Sequence, residues 1–204
     1  MLTSCEQKIM GIVLPQPFKD YSVRQISKRI KSSYALTHES IRSLIDKDMI
    51  TARKIGNSLV CKANLSADTG LLAISSLINS KKFMKTNRFS FVIDNLKNKL
   101  DNLLYVMILF GSHAKGTATK KSDIDLLFVV QNEQDIEKIK KRIKSVLSLT
   151  NEKVDFDAIT TEWLIKMFED RHSIGREVLE GSIILHGAEQ YYSLVKANDK
   201  KRGH

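Results

Sequence analysis

The sequence is poor in cysteine and contains no long hydrophobic run. Its 204 residues include two cysteines, Cys5 and Cys61, whose separation matches no metal-ligand spacing. A single disulfide is not expected in a reducing compartment, so both thiols are predicted to be small buried apolar groups. The longest apolar run, residues 103–110, is far shorter than the roughly 18 residues that a membrane-spanning helix needs.

The sequence also shows no pattern typical of a signal peptide, a flexible linker or an internal repeat. Residues 1–8 have neither the basic start nor the apolar stretch of a secretory signal, and no Gly/Ser linker or internal repeat occurs. Apolar residues at 42% and charged residues at 27% lie near globular averages, which excludes disordered, collagen-like and low-complexity classes. We therefore expect a soluble, cytoplasmic protein without a membrane partner, with room for a second small domain.

Positive charge is in excess, and the excess is densest at the N-terminus. The formal net charge is +10; residues 1–65 hold 11 Lys and Arg against 5 Asp and Glu, a net charge of +6. A compact basic module is typical of proteins that neutralise nucleic-acid phosphates, because each cation placed on a phosphate releases condensed counterions. A basic surface that serves only solubility is the alternative explanation.

The pattern of residues 1–65 predicts three helices followed by a hairpin. Apolar residues recur at helical spacing in three segments, and Ser22 and Thr37 are suited to cap the second and third helices. Two strand-like runs then flank Gly56-Asn57, which permits the positive φ angles of a tight turn. The apolar stripes consist of residues 9–14 in the first helix, Val23, Ile26 and Ile30 in the second, and Ile41, Leu44 and Ile45 in the third.

Three helices and a basic hairpin in this order resemble the winged helix-turn-helix family. The resemblance implies that residues 1–65 bind double-stranded DNA, with the third helix in the major groove and the hairpin, or wing, on the backbone. Homodimers are common among such regulators, and a winged helix used for dimerisation or protein docking is the alternative. The residues implied to bind DNA are His38, Arg42 and Ser43, which point outward towards bases, and Arg53, Lys54 and Lys62, which contact phosphates.

Residues 66–100 are predicted to form a helical connector. Apolar spacing indicates one helix before and one helix after residues 80–82, both packing on a second domain formed by residues 101–204. The expected organisation is therefore a winged helix over residues 1–65, the connector, and a second domain over residues 101–204.

The most informative segment lies where one apolar run ends and another begins. The first run ends at Gly111-Ser112, and the second opens with Asp123-Ile124-Asp125. Because side chains alternate along a strand, Asp123 and Asp125 are expected on the same side, at one end of a sheet. Two neighbouring carboxylates repel each other unless a divalent cation lies between them, and oxygen ligands favour Mg²⁺ or Mn²⁺.

Gly111 and Ser112 are candidates for binding phosphate. A glycine after a strand lets the backbone approach a ligand closely, and the amides of a following helix N-terminus favour an anion. Residues 111–116 also match the first positions of a P-loop, but Thr117 stands where that motif requires lysine, which excludes it. Lys115 and Lys121 are further candidates for neutralising phosphate.

This constellation resembles the DNA polymerase beta-like nucleotidyltransferase superfamily, in its minimal, small-domain branch. Archaeal members of that branch carry an N-terminal winged helix, and the resemblance implies an α/β (α+β) fold with a small mixed sheet flanked by helices. The residues that carry it are Gly111 and Ser112, residues 114–116, and, after the ten residues that follow Ser112, Asp123-Ile124-Asp125. Residues 175–187 resemble the region after the third strand in the archaeal members.

The resemblance further implies a third carboxylate on a later strand. Asp155 and Asp157 alternate with apolar residues in segment 153–159, so both share one face and either fits. Two Mg²⁺ ions held by Asp123, Asp125 and this residue would bridge the triphosphate and the acceptor oxygen. Gly111 and Ser112 would hold the β- and γ-phosphates. Of the remaining residues, Trp163 is expected in the core, and His172 and His186 at surface or capping positions.

The sequence thus predicts a metal-dependent nucleotidyltransferase coupled to a DNA-binding winged helix. It would move a nucleoside monophosphate from an NTP, with ATP the expected donor, to a hydroxyl acceptor. The acceptor would be a partner protein, as in antitoxins of this family that adenylylate a toxin, or a nucleic acid. The alternative is a transcription regulator whose nucleotidyltransferase-like domain only binds nucleotide or dimerises.

Overall fold

The first 63 residues form three helices and a small antiparallel sheet in the computed structural model, which describes residues 1–169 and 173–202. The strand order is β1-β3-β2, and Gly56 adopts a φ of +56° in the turn that joins β2 to β3. The predicted hairpin is therefore confirmed. The elements are α1 (Ser4–Val13), β1 (Tyr21–Ser22), α2 (Val23–Ile30), α3 (Tyr34–Asp46), β2 (Ile50–Ile55) and β3 (Ser58–Ala63).

Side-chain caps set where these helices begin. Ser22 caps α2 through a capping box with Gln25, as predicted. The prediction that Thr37 caps the third helix is wrong, because α3 begins one turn earlier, where the Ser33 hydroxyl accepts a hydrogen bond from the Leu36 N–H. Thr37 is buried inside the helix, and its hydroxyl donates to the Ser33 carbonyl at 2.8 Å. A threonine satisfied in this way is compatible with a helix interior.

The connector consists of two helices, α4 (Thr69–Thr86) and α5 (Ser90–Lys99). The predicted break at residues 80–82 is wrong, because α4 runs through it. Ser80 is buried, and its hydroxyl donates to the Leu77 carbonyl within the helix, while lysine is itself a good helix former. The break lies later, where the Asn87 amide donates to the Phe83 carbonyl and ends the helix.

The remaining described residues form a mixed sheet flanked by helices, as the predicted α/β (α+β) class requires. The sheet order is β6-β5-β4-β7; β5 and β6 are parallel and joined through α7, whereas β4 pairs antiparallel with β5 and β7. The elements are β4 (Tyr105–Phe110), α6 (Gly111–Lys115), β5 (Ile124–Val130), α7 (Glu133–Leu147), β6 (Val154–Thr160), α8 (Thr161–Glu169), α9 (Ser173–Glu180), β7 (Ile183–His186) and α10 (Ala188–Arg202).

The two faces of this sheet belong to different hydrophobic clusters. Leu126 and Phe128 point to the face covered by α5 and α7, whereas Leu127 and Val129 point to the opposite face. The cluster that contains Leu127 and Val129 continues without interruption through α8, α10 and α4 into the helices of the N-terminal region. The apolar core of the N-terminal region is therefore continuous with one face of the sheet.

Two further sequence-based predictions concern the burial of the cysteines and the absence of a membrane-spanning helix. Cys61 is buried as predicted, with its thiol donating to the Tyr21 carbonyl, whereas Cys5 is partly exposed, and both are free thiols. Within residues 1–169 and 173–202, no helix combines the length and the apolar character that crossing a bilayer would demand.

Candidate active site

Sheet register brings three strand ends together at one edge. Phe110, the last residue of β4, lies opposite Asp125 of β5, and Asp125 in turn lies beside Asp155 of β6. Because register partners point to the same face, Asp125 and Asp155 project from neighbouring strands on one side of the sheet. Gly111 follows Phe110 directly, so the Gly-Ser segment and both carboxylates share this edge.

Gly111 is packed against the carboxyl group of Asp125. It adopts a φ of +66°, in the left-handed region, and a Cβ atom built on it would overlap the Asp125 carboxylate. Only glycine satisfies both conditions. Ser112 follows in the first turn of α6, and its hydroxyl is half-buried and makes no hydrogen bond to any residue that the structure describes. Both features leave polar groups available beside Asp125.

Asp125 lies at the centre of a cluster of negative charge. Burial is the largest cause that raises the pKa of its carboxyl group, followed by the charges of Asp155, Glu177 and Asp123, while His113 acts in the opposite direction. The ionised form of Asp125 is therefore disfavoured in the absence of a cation. The four carboxylates are called the acidic cluster below.

Asp157 does not belong to the acidic cluster. It lies opposite Leu127, two residue pairs further along the sheet than Asp155, and its carboxylate accepts from Lys140 at 3.0 Å and from the N–H of Ala158 at 2.8 Å. Its charge is not among those that raise the pKa of Asp125. The structure thus separates two residues that the alternation of β6 leaves equivalent.

The acidic cluster has the donor chemistry of a hard-cation site without the convergence of one. No group of three or more His, Cys, Asp or Glu side chains is placed to hold a metal ion in the described part of the chain. Asp123 and Asp155 are exposed, and Asp125 is partly buried. Carboxylate oxygens match the preference of Mg²⁺ and Mn²⁺, and a cation would relieve the repulsion that raises the pKa of Asp125.

Glu177 is the member of the cluster that sequence reasoning missed. It lies on α9, where Gly175 allows close contact with α8, because a Cβ on Gly175 would stand 2.5 Å from the Met167 carbonyl oxygen. Its carboxylate also lies 4.0 Å from the Lys115 ammonium. No spacing relates Glu177 to the Asp123 and Asp125 pair, so the only sequence signal was a glycine two positions before an acid.

The two lysines predicted to bind phosphate lie in different surroundings. Lys115 is half-buried between Glu177 and Gly181, at the edge that holds the acidic cluster. Lys121 is exposed in the loop before β5, which is closed by a hydrogen bond from the Thr119 N–H to the Ser122 hydroxyl at 2.9 Å. The structure therefore brings Lys115, but not Lys121, into contact with a member of the cluster.

The sequence predicts structural roles for three residues outside the acidic cluster. Trp163 is 53% exposed, and the prediction that it lies in the core is wrong, because it sits on the outer face of α8 beside Lys166. His186 is exposed and stacks on Tyr105 with ring centroids 4.4 Å apart, in agreement with a surface role. His172 lies outside the described residues.

The predicted DNA-contacting residues of α3 fall on different sides of that helix. His38 is partly exposed and stacks on Tyr34, and Arg42 is exposed. The prediction that Ser43 points outward is wrong, since its hydroxyl is hydrogen-bonded to the buried Glu6 of α1 and thereby lowers the pKa of that carboxyl. Ser43 therefore joins α3 to α1.

The hairpin cations are also divided between two faces. Thr51 pairs with Lys62 and Arg53 pairs with Val60, so Arg53 and Lys62 share one face while Lys54 lies on the other. Arg53 forms an ion pair with Asp20 at 2.5 Å, whereas Lys54 and Lys62 are exposed.

One protein-family model matches part of the chain. Residues 92–183 match the family model of the nucleotidyltransferase domain, of the polymerase beta-like type. This segment is similar to nucleotidyltransferases. The match begins inside α5 and ends at the start of β7, so the nucleotidyltransferase segment contains every member of the acidic cluster together with Gly111 and Ser112. It supports a general nucleotidyl transfer activity. Comparison with curated proteins finds no match to the chain.

Proposed function

We propose that the protein transfers a nucleoside monophosphate from an NTP to a hydroxyl group and that the reaction depends on Mg²⁺ or Mn²⁺. The observation that carries the proposal is the alignment of Asp125 with Asp155 beside Gly111, within the nucleotidyltransferase segment. ATP is the donor we expect, and the acceptor is either a partner protein or a nucleic acid.

The residues of the acidic cluster receive separate roles in this proposal. Asp123, Asp125 and Asp155 would hold the metal, and Asp157 is left out because Lys140 already neutralises it. A bound divalent cation would supply charge neutralisation at the triphosphate. The carboxylate of Asp155 would accept the proton of the attacking hydroxyl. The hydroxyl oxygen would then bond to the α-phosphorus as pyrophosphate departs.

Phosphate binding would fall to the segment after β4. The backbone at Gly111 can approach a phosphate because no side chain intervenes, and the Ser112 hydroxyl would donate to a phosphate oxygen. Lys115 would add positive charge at the same edge, and Lys121 would do so from the loop before β5. These assignments predict that the triphosphate lies along α6.

The N-terminal region would bind double-stranded DNA as a winged helix. Support comes from the order of its elements, from the net charge of +6 over residues 1–65, and from the exposure of Arg42, Lys54 and Lys62. His38 and Arg42 would face the bases, and Arg53 would exchange Asp20 for a phosphate. Homodimer formation would present two such modules to a symmetric site.

One observation favours the alternative of a regulator that only binds nucleotide. The carboxylates of Asp123 and Asp155 are exposed and do not converge on Asp125. A protein that only binds nucleotide would not need its carboxylates to converge. A labelling experiment distinguishes the two functions, because only a transferase would label an acceptor.

Incorporation of α-phosphate label from ATP, and then from the other NTPs, tests the transfer. We expect Mg²⁺-dependent labelling of a protein or nucleic-acid acceptor from a cell extract. Replacing Asp125 by asparagine should lower the labelling at least about 100-fold, because a metal ligand is lost while the side-chain shape is kept.

The neighbouring carboxylates provide the control. Asp155→Asn should match Asp125→Asn in its effect, whereas Asp157→Asn should retain activity within a few-fold, since its carboxylate lies outside the cluster. Full activity of Asp125→Asn would contradict the metal assignment, and binding of ATP without any labelling would favour the regulator.

DNA binding is tested by its dependence on salt. If about four phosphates are contacted, the affinity for duplex DNA should fall roughly 100-fold between about 50 and 200 mM salt, because the counterions released on binding gain less entropy at higher salt. Lys54→Ala should weaken binding uniformly across sequences, and Glu39→Gln should not. A flat salt dependence would argue for a protein-docking module instead.

A further inference from the structure

A cavity lies away from the acidic cluster, between the N-terminal helices and the nucleotidyltransferase segment. It has a volume of about 550 Å³, and its walls come from α1, α2, α4 and the start of β7. Cavities of a few hundred cubic ångströms accept ligands of mononucleotide size. None of the four carboxylates of the acidic cluster lines it.

The charged residues of this cavity all carry the same sign. Lys8 of α1, Arg29 of α2 and Lys82 of α4 line it, and no Asp or Glu among the described residues does. None of the three forms an ion pair with any residue of the described chain, although the Arg29 guanidinium also lies over the Tyr21 ring, 5.2 Å from its centroid. Three cations without an anionic partner around one cavity create a site for an anion.

Asn79 adds an unpaired donor to the wall. Its amide nitrogen is buried and has no hydrogen-bond partner in the described chain, while its amide oxygen accepts a long hydrogen bond of 3.4 Å from Gln7. Gly11 holds this arrangement in place, because a Cβ there would stand 2.8 Å from the Asn79 oxygen. A buried donor without a partner is costly to keep, so rotation of the Asn79 amide towards a ligand oxygen in the cavity would remove that cost.

Much of the remaining wall is apolar, although Ser76, Ser182 and Tyr192 also line it. Leu14, Ile30 and Phe83 line the cavity, so a ligand with only charge, such as a free inorganic ion, would leave this surface unused. A phosphate ester with a flat or apolar body matches both parts of the lining.

We propose that this cavity binds the phosphate ester of a small molecule of mononucleotide size. The phosphate lies among Lys8, Arg29 and Lys82 and accepts a hydrogen bond from the Asn79 amide. The organic body contacts the apolar wall. The site is independent of the transfer reaction, because it shares no residue with the acidic cluster and needs no metal ion.

Occupancy of the cavity joins the two parts of the chain. The backbone N–H of Ser182, just before β7, donates to the Pro15 carbonyl beyond α1 at 2.9 Å, so both walls are already in contact beside the cavity. A ligand that binds only the folded state stabilises it by a free energy that grows with the logarithm of the ligand concentration above the Kd. The melting temperature of the full chain should therefore rise with ligand concentration.

Calorimetric titration with AMP in EDTA tests the site without the metal-dependent reaction. Wild-type protein should bind AMP saturably. Lys82→Glu and Lys8→Glu should each weaken binding at least about 10-fold, because a charge-assisted contact is replaced by repulsion. The matched control is Lys85→Glu on the same helix as Lys82, because Lys85 does not line the cavity. The affinity of this variant for AMP should stay within about twofold of wild type.

Two further variants distinguish this site from the acidic cluster and from a folding defect. Ser112→Ala should leave AMP binding in EDTA unchanged. Asn79→Ala should stay folded, as circular dichroism would show, and should bind AMP more weakly. If Ser112→Ala removes binding while Lys82→Glu does not, AMP occupies the acidic cluster and the proposal is overturned.

Other phosphates define the ligand class. Glucose 6-phosphate binding as tightly as AMP would support a general phosphate-ester site, and preference for AMP would support a nucleotide site. Inorganic phosphate binding as tightly as AMP, or an equal loss in Lys85→Glu, would overturn the proposal. Absence of nucleotidyl transfer would leave these results unaffected.

Discussion

Gly111 and Asp125 form the closest packing at the candidate site. The glycine has no side chain to separate the backbone from the carboxylate, and its φ of +66° is one that other residues rarely adopt. Gly116, at the end of α6, also has a positive φ of +73° but has no atom within 4 Å of the Cβ position. Substitutions at the two glycines therefore distinguish the effect of backbone strain, present at both, from the effect of steric overlap, present only at Gly111.

We expect Gly111→Ala to abolish nucleotidyl transfer and to lower the free energy of unfolding by about 2 kcal/mol, since it combines left-handed strain with displacement of Asp125. Gly116→Ala should lower the free energy of unfolding by about 1 kcal/mol and retain most of the activity. Urea denaturation and label incorporation measure the two quantities. Equal activity in both variants would show that contact with Asp125 has no role.

A buried ion pair joins two helices of the N-terminal region. Glu6 of α1 is 1% exposed, and its carboxylate accepts from Lys47, just after α3, at 2.5 Å. Burial alone would raise the pKa of Glu6, but hydrogen bonds from Lys47, Ser43 and the Thr3 N–H outweigh it and lower the pKa to about 2. The pair therefore stabilises the packing of α1 on α3 only while Glu6 is ionised.

Glu6→Gln is expected to lower the free energy of unfolding at pH 7 by about 3 kcal/mol, because the Lys47 charge loses its partner. The folded pKa is lower than the unfolded value, so the stabilisation is complete above about pH 4.5 and is lost as pH falls towards about 2. Urea denaturation across this range should give a weaker pH dependence for Glu6→Gln than for wild type.

The exposed Glu39 of α3 supplies the comparison at this scale. Glu39→Gln should change the free energy of unfolding at pH 7 by less than about 0.5 kcal/mol, because no described residue forms an ion pair with it. An identical pH dependence in wild type and Glu6→Gln would contradict the assigned role of the buried pair.

At the scale of the whole molecule, the N-terminal region and the nucleotidyltransferase segment share one hydrophobic cluster. The cluster extends from Ile9 and Leu44 to Val129 and Tyr192 without a gap. Polar contacts accompany it, among them the Gln7 amide donating to the Ser75 carbonyl and the Lys196 ammonium donating to the Ala67 carbonyl. Separation of the two regions would expose this shared surface to water.

We therefore expect a single cooperative unfolding transition for the full chain. In scanning calorimetry, the ratio of the calorimetric to the van't Hoff enthalpy should be close to one, since neither region can lose its packing alone. Repeating the scan at about tenfold lower protein concentration controls for dimerisation, which would shift the midpoint. Two resolved transitions would show that residues 1–65 unfold independently.

Local patterns were sufficient for several parts of the fold. The hairpin between β2 and β3, the Ser22 cap, and the strands that end at Gly111 and begin near Asp125 all follow from short-range spacing, because alternation and capping involve only neighbouring residues. Thr37 and residues 80–82 show the limit of such patterns. A hydroxyl that suits a cap or a break is equally satisfied by a carbonyl inside a helix, and the sequence does not say which one it meets.

The sequence by itself determined that a Gly-Ser turn and a pair of aspartates lie at the end of two strands, since strand period and strand length are encoded locally. It left Asp155 and Asp157 equivalent, because both occupy the same face of β6. Only the tertiary structure decided between them, by placing Lys140 of α7 against Asp157 and Glu177 of α9 near Asp125. Charges act through space, so the helices that pack around the sheet determine which carboxylates share one electrostatic environment.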